Sequence, residues 1–253
     1  MIVRQRQIRT LAAESEERSA ASAARHLETY DPLLAAAAGK AGLQRLAGEG
    51  IPRAREYGFT AGNHLQLFLE MLMSFGNAFD TDPQYRWLRP FLDPAEGSPA
   101  ERASLLHFHA VSYLDRAFGE RGALGLAALE RGENLNVDRL ARIAGSLRGR
   151  APELLQWLHP ERLEFLEPGA LDELVDTAWK TAAGFGLDMP TGAALLLVLQ
   201  FTFGHGVHED PVHPWLRKML EEQSDGKAKV EQIGAKANTY VQLMRRRLSE
   251  RIG

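Results

Sequence analysis

The sequence predicts an all-α protein, and three observations support this fold class. Segments rich in Ala, Leu, Glu and Arg carry apolar residues at helical spacing, and no segment shows the strict alternation of polar and apolar residues that indicates a strand. Asp-Pro and Gly punctuate these segments where helices would begin and end. The same order of segments also occurs twice. We therefore predict a tandem duplication of a helical module, packed as a pseudo-symmetric helical bundle.

The repeat is clearest in the stretch FGNAFDTDPQYRWLRPFL, which starts at Phe75, and the stretch FGHGVHEDPVHPWLRKML, which starts at Phe203. In both, Phe-Gly is followed by Asp-Pro, then by Trp-Leu-Arg and a closing Leu, so the offset between the copies is 128 residues. The same offset aligns Pro32 with Pro160, Leu43 with Leu171, Gly58 with Gly186 and Leu67 with Leu195. Paired Gly, Asp-Pro and Trp in one register indicate a duplication rather than chance matches of Leu and Ala.

The boundary between the copies is predicted at a glycine-rich seam. The segment GERGALGLAALERGEN, residues 119–134, has four glycines and no long periodic run, which is typical of a connection. An offset reduced by one residue aligns the last helix of each copy and pairs Tyr113 with Tyr240. The predicted units are residues 1–120 for the first copy, 121–134 for the linker and 135–253 for the second copy.

The first part of each copy predicts helices. Residues 8–30 contain no Gly or Pro, and Asp31 with Pro32 then supplies an N-cap followed by Pro at the first helical position. Residues 41–58 predict a helix that we expect to be broken by internal Gly and Pro. The expected breaks are at Gly48, Gly50 and Pro52. The aligned residues 169–186 of the second copy predict a cleaner amphipathic helix.

Each copy next contains a helix that is apolar on nearly every side. The two segments are GNHLQLFLEMLMSFG and GAALLLVLQFTFG, which end at Gly76 and Gly204. A helix that is apolar all round is a buried helix, so we expect these two to form the spine of each copy, with the glycines as C-cap residues. A buried strand is the competing prediction for the second segment, although the Met- and Leu-rich first segment favours helix.

The repeated stretch itself predicts a corner between two helices. Asp82 and Asp210 are N-cap candidates, and each is followed by a Pro at the first helical position. Trp87 and Trp215 lie one turn further along and are expected to anchor the new helix on the spine. The final helices are predicted over residues 101–118 and 227–251.

Composition narrows the classes of function. A net charge of −3 and a pI of about 6.3 give no global field that would attract nucleic acid or an anionic membrane. The chain has no cysteine, which excludes disulfides and thiolate chemistry. The longest apolar run, residues 192–204, is shorter than the roughly 20 residues that a membrane span needs. The first twenty residues lack the apolar core of a secretory signal, so we expect a cytoplasmic protein.

The sharpest candidate for chemistry is the run HGVHEDPVH in the second corner. Imidazole and carboxylate groups are suitable ligands for zinc, iron or nickel, and a turn here brings several together. The candidate metal ligands are His205, His208, His213 and Asp210. Their spacing differs from the helical metalloprotease motif, and the first copy has Asn77, Asp80 and Tyr85 at the three His positions. The alternative interpretation is a loop of polar side chains without a metal.

No catalytic motif stands out elsewhere. The chain lacks a G-x-S-x-G nucleophile elbow and a Gly-rich phosphate loop, and its acidic pairs have no partner nucleophile. We therefore expect a protein that is not an enzyme and that carries no cofactor. The mixed charges along every predicted helix give little support to a regulator that binds nucleic acid.

The order of motifs resembles a family of small helical accessory proteins that bacteria encode beside type VI secretion spike components and polymorphic toxins. The motifs are Tyr57-Gly58, a long apolar helix, Phe75-Gly76, Phe79-Asp80, Asp82-Pro83 and Trp87. The second copy departs from this pattern, with Val207-His208 in place of Phe-Asp. The resemblance implies an effector chaperone, an adaptor or an immunity protein, and it implies no catalytic residues.

Two hypotheses of function follow. The first is a non-enzymatic interaction protein whose partner is a secreted effector, a toxin or a spike component, because Met- and Leu-lined surfaces adapt to apolar segments. Its candidate interface residues are Phe79, Trp87, Met71, Met73, Met189, Trp215 and Met219. The alternative is a helical enzyme or sensor that holds a metal or a small molecule at the His-rich corner.

Overall fold

A computed structural model describes residues 17–60 and 62–252 of the chain. All regular structure in these residues is helical, which confirms the predicted all-α class. The α-helices are α1 (residues 17–30), α2 (Pro32–Glu56), α3 (Gly62–Phe75), α4 (Arg89–Leu92), α5 (Pro99–Phe118), α6 (Ala123–Glu133), α7 (Val137–Ala144), α8 (Leu147–Leu158), α9 (Pro160–Leu163), α10 (Ala170–Gly184), α11 (Thr191–Phe203), α12 (Pro214–Glu221) and α13 (Gly226–Ile252). Residues 1–16 lie outside the described residues. They include residues 8–16 of the first predicted helix and most of the segment in which the sequence predicts no secretory signal.

Helices α3 and α11 are the predicted spines. Every α11 residue from Gly192 to Phe201 is buried, and α3 buries the side that carries Phe68, Leu69 and Leu72. The prediction of helix rather than strand for the second segment is therefore confirmed. Both helices end at a glycine with a positive φ, as their C-terminal signals predict.

Helix α2 corrects the prediction of breaks at Gly48, Gly50 and Pro52, because the helix runs through all three. Gly50 lets α3 approach closely, since a Cβ there would lie 2.5 Å from Leu72 Cδ1 and 2.6 Å from Leu69 Cδ2. Water can solvate the Gly48 carbonyl that Pro52 leaves without a helical donor, because Gly48 is exposed. The real kink is at Gly39, where φ is 66°.

The predicted linker, residues 121–134, is mostly helical. Helix α6 occupies it and packs along α13. An ion pair between Glu133 and Arg245 joins the two helices, and Gly132 faces Val241. The seam is therefore a structural element that belongs with the second half.

The two halves interlock around two cores. The first core is built from α1 to α5 and the second from α7 to α13, but Val212 of the second corner is buried in the first core. In the other direction, Arg86 of the first corner forms an ion pair with Glu173 of α10 and donates to the Pro168 carbonyl. No helix in the described part of the chain is long and apolar enough to cross a membrane.

Candidate functional site

The two repeated corners meet each other. Gly76 and Gly204 have φ values of 98° and 99°, and a Cβ added to either would lie within 3.3 Å of the Cα of the other. A Cβ added to Gly76 would lie 2.7 Å from the carbonyl oxygen of Phe203, and one added to Gly204 would lie 2.9 Å from that of Phe75. Only glycine allows both the left-handed conformation and this approach of two backbones.

Reciprocal hydrogen bonds join the corners. Asp82 accepts from the backbone N–H of Gln84 at 2.9 Å through Oδ1, and from that of His205 at 2.7 Å through Oδ2. Asp210 accepts from Val212 N at 2.8 Å through Oδ1 and from Asn77 N at 3.1 Å through Oδ2. Each carboxylate thus caps its own corner with one oxygen and binds the opposite corner with the other.

The second corner departs from the predicted cap. Residues 211–213 form a turn, and α12 begins at Pro214 rather than at Pro211. In the first corner, Asp82 is the N-cap and Pro83 the first residue of a short 3-10 helix, Pro83–Leu88, as the Asp-Pro signal predicts. The two corners therefore share their caps but differ in where the next helix starts.

Trp87 and Trp215 pack against the cores that contain the spines and also contact the final helix of each half. The Trp87 ring lies 5.2 Å from the Tyr113 ring of α5, and the Trp215 ring lies 5.6 Å from the Tyr240 ring of α13. Both indole Nε1 atoms are buried and have no acceptor in the part of the chain described. Large partly buried aromatic rings at these points fix the final helix of each half against its corner.

A buried cation on each final helix was missed in the sequence. Arg102 of α5 donates to the carbonyl oxygens of Tyr57 at 2.7 Å and Leu92 at 2.9 Å. Lys229 of α13 donates to those of Phe185 at 3.0 Å and Leu220 at 3.1 Å. These carbonyl positions correspond under the 128-residue offset, and the cations correspond under the offset reduced by one. A basic residue at both aligned positions was the available signal.

The His-rich corner does not assemble its candidate ligands. His205 Nδ1 lies 3.4 Å from Asp82 Oδ2, the His208 ring packs on Phe185, and His213 Nδ1 lies 3.0 Å from the Tyr240 hydroxyl. The Asp210 carboxylate already accepts two backbone hydrogen bonds. Among residues 17–60 and 62–252, no three His, Asp or Glu side chains are grouped so that they could hold a metal ion. The geometry of this corner therefore does not support the metal-site hypothesis.

Burial shifts the pKa of two groups in this corner. It raises the pKa of Asp210 to about 6, although the N–H groups of Val212 and Asn77 favour the charged carboxylate. It lowers the pKa of His213 to about 3, so this imidazole is neutral at pH 7. Both side chains are enclosed by structural contacts, and neither is presented to solvent as an acid or base for catalysis.

The predicted interface residues are mostly not on the surface. Phe79, Met71 and Met73 are buried in the first core. Met189 and Met219 are partly buried and pack against the second core, as Trp215 does, and Trp87 packs against the first. Core packing therefore accounts for these side chains, as the apolar spines require.

An exposed apolar stripe lies instead on α5. Its members are Leu105, Phe108 and Val111, of which Phe108 is 66% exposed. The spacing of three residues puts them along one side of the helix. The sequence shows apolar residues at helical spacing on both sides of this helix. It does not show which side is buried and which is exposed.

Comparisons of the chain with protein-family models, with curated proteins and with solved structures gave no match. The candidate site therefore rests on the geometry of the chain itself.

Proposed function

We propose that this chain is a non-enzymatic interaction protein, built by duplication of a helical module, which binds a partner protein through the α5 stripe. The duplicated halves serve as a rigid scaffold, and α5 of the first half presents the binding surface. The partner is a protein with a complementary apolar helix or segment, since apolar side chains along one side of a helix suit that mode of docking.

The matching contacts of the two halves support the duplication. The reciprocal hydrogen bonds of Asp82 and Asp210 pair under a single offset. The carbonyl contacts of Arg102 and Lys229 also pair, with the carbonyls at the 128-residue offset and the cations at the offset reduced by one. The tryptophan-on-tyrosine contacts are a third such pair. Because these contacts involve side chains far apart in sequence, convergence on the same set in both halves is hard to explain without common descent.

The comparison of α5 with α13 is the observation that carries the interaction proposal. The residues of α13 aligned with Leu105, Phe108 and Val111 are Gln232, Ala235 and Asn238. The final helix of the second half therefore packs in place with small or polar side chains at these three positions. The apolar residues of α5 are therefore dispensable for packing, and exposed apolar patches in monomeric proteins mark interaction sites.

The class of partner is taken from the family resemblance. We propose that the partner is a secreted effector, a toxin or a spike component of bacterial type VI secretion, and that the chain acts as its chaperone, adaptor or immunity protein. On this proposal the two proteins meet in the cytoplasm, before delivery of the effector. No step of this function requires a catalytic residue or a cofactor.

Substitution on the stripe tests the proposal. We expect Phe108→Asp to lower the amount of an effector, toxin or spike component that co-purifies from the native cells by about tenfold or more, because a central aromatic residue dominates an interface. Mass spectrometry would identify and quantify the partner. Leu243→Asp is the matched control, since Leu243 is an exposed leucine, 40% accessible, on the different helix α13.

The control should retain the partner, and both variants should keep the unfolding temperature of the unaltered protein. Retention of the same partner by Phe108→Asp would contradict the proposed surface. Absence of any effector, toxin or spike component from the unaltered protein's complex would contradict the proposed function itself.

A further inference from the structure

An apolar cavity of about 230 Å³ lies in the second half, where it faces α2 and α5 of the first half. Helices α6, α7, α11 and α13 form its walls, and the start of α2 and the end of α5 close one side. Representative lining residues are Ala128, Leu135, Leu140, Leu195, Val198 and Val241. Asn136, at the connection from α6 to α7, both lines the cavity and is exposed, so the cavity reaches the surface there.

A smaller cavity of about 100 Å³ adjoins it and has a different character. Phe118, Arg162 and Phe203 line both spaces. The smaller cavity is also bordered by hydroxyl-bearing and imidazole side chains, namely Ser74, Tyr85, Tyr113, Tyr240 and His213. The two spaces together therefore have an apolar end and a polar end, with Arg162 at their junction.

Arg162 is a buried cation without a carboxylate partner. Its Nη1 donates to the Thr202 carbonyl at 3.1 Å, and its Nη2 donates to Gln84 Oε1 at 3.0 Å and to the Tyr85 hydroxyl at 2.8 Å. Its Nε has no acceptor in the described part of the chain, and no Asp or Glu described there lies within ion-pair distance. The Asp82 carboxylate is linked to it through the Gln84 side chain and also attracts the guanidinium electrostatically, and the Tyr113 hydroxyl is a further hydrogen-bonding neighbour.

We propose that the two cavities bind a small amphipathic monocarboxylate, with its hydrocarbon tail in the larger cavity and its carboxylate at Arg162. A carboxylate supplies a counter-charge to this guanidinium and can accept from the Nη1 N–H that the Thr202 carbonyl leaves free. Scaled from the roughly 150 Å³ apolar cavity that holds benzene, the larger space holds about nine carbon atoms. Protein interiors rarely leave voids of this size, so the tail of a ligand gives the space a function.

Octanoate, octanol and octylammonium are the probes that test this proposal, because they share a tail and differ in the head group. We expect isothermal titration at pH 7 to show one octanoate bound per chain. Octanol should bind about tenfold or more weakly, since it lacks the charge-assisted hydrogen bonds, and octylammonium should not bind. Equal affinity for octanoate and octanol, or no binding of octanoate, would overturn the proposal.

Two variants locate the site. Ala128→Phe places a ring in the larger cavity and should abolish octanoate binding, whereas Ala235→Phe makes the same change at an exposed position of α13 that does not line either cavity and should leave binding intact. Arg162→Gln should remove the preference for octanoate over octanol. Unchanged octanoate binding by Ala128→Phe would overturn the assignment of the tail to the larger cavity. This test does not depend on Arg162→Gln, so the proposal can be tested even if that variant fails to fold.

Discussion

At the scale of single residues, Arg102 and Lys229 close the ends of helices. Tyr57 caps the C-terminus of α2 and Leu92 is the last residue of α4, and Arg102 donates to the carbonyl oxygen of each. Such terminal carbonyls have no partner within their own helix, and a cation is favourable at this end of the helix dipole. Lys229 has the same role in the second half, where Phe185 caps α10.

Removal of either cation is predicted to destabilise the fold. We expect Arg102→Met and Lys229→Met each to lower the free energy of unfolding by about 2–4 kcal/mol, because Arg102 donates to four carbonyl groups and Lys229 to two, and these acceptors would lose their donors. Arg102→Lys should recover more than half of that loss, since Lys229 reaches the corresponding carbonyls with an ammonium group. Urea unfolding measures these values. Arg102→Lys as damaging as Arg102→Met would contradict the equivalence of the two sites.

At the scale of elements, the two corners hold the halves together through backbone contact. Gly76 and Gly204 combine a positive φ with a backbone neighbour that leaves no room for a Cβ. Gly186 also has a positive φ, of 64°, but a Cβ there would meet nothing within 4 Å. Gly186 is therefore a control that has a positive φ and no close neighbour at the Cβ position.

We predict that Gly76→Ala and Gly204→Ala each destabilise the protein by more than Gly186→Ala. The control should cost about 1–2 kcal/mol, the penalty of a left-handed non-glycine residue, and the corner variants should exceed it by about 1–3 kcal/mol for the steric conflict. The double variant should cost less than the sum of the two, because both changes open the same contact. Chemical unfolding would measure all four. Equal losses for Gly76→Ala and Gly186→Ala would count against a tight corner contact.

Much of the element order could be predicted from local signals in the sequence. The spines, the Asp82 cap and the final helices follow from apolar periodicity, Asp-Pro and Gly. The start of α12 could not, because both Pro211 and Pro214 are start signals, and the burial of Val212 in the opposite core favours the later one. The start of α12 therefore depends on contacts between residues far apart in the sequence, which local signals do not reveal.

The candidate site was predictable only in part, for the same reason. The sequence singled out both corners, yet nothing local indicated that they would meet. The exposed stripe on α5 was also visible as apolar residues at helical spacing. Ala103, Leu106 and Ala110 form a second stripe on this helix, and only the packed structure distinguishes the buried stripe from the exposed one.

At the scale of the whole molecule, the two halves interlock and present different surfaces. Val212 enters the first core, and Arg86 binds α10 of the second half. The two proposed sites follow from this pairing. The apolar cavity lies in the second half against α2 and α5 of the first, and the α5 stripe is apolar where α13 has Gln232, Ala235 and Asn238.

The measurement that tests this pairing most directly is reconstitution from two chains. Residues 1–119 and 120–253, co-expressed with a tag on only one of them, are predicted to co-purify in a one-to-one complex with the helical content of the intact protein. Gly76→Ala in the first fragment should weaken the complex, and a substitution on the exposed stripe such as Phe108→Asp should not. Fragments that purify separately, or a complex indifferent to Gly76→Ala, would contradict the account.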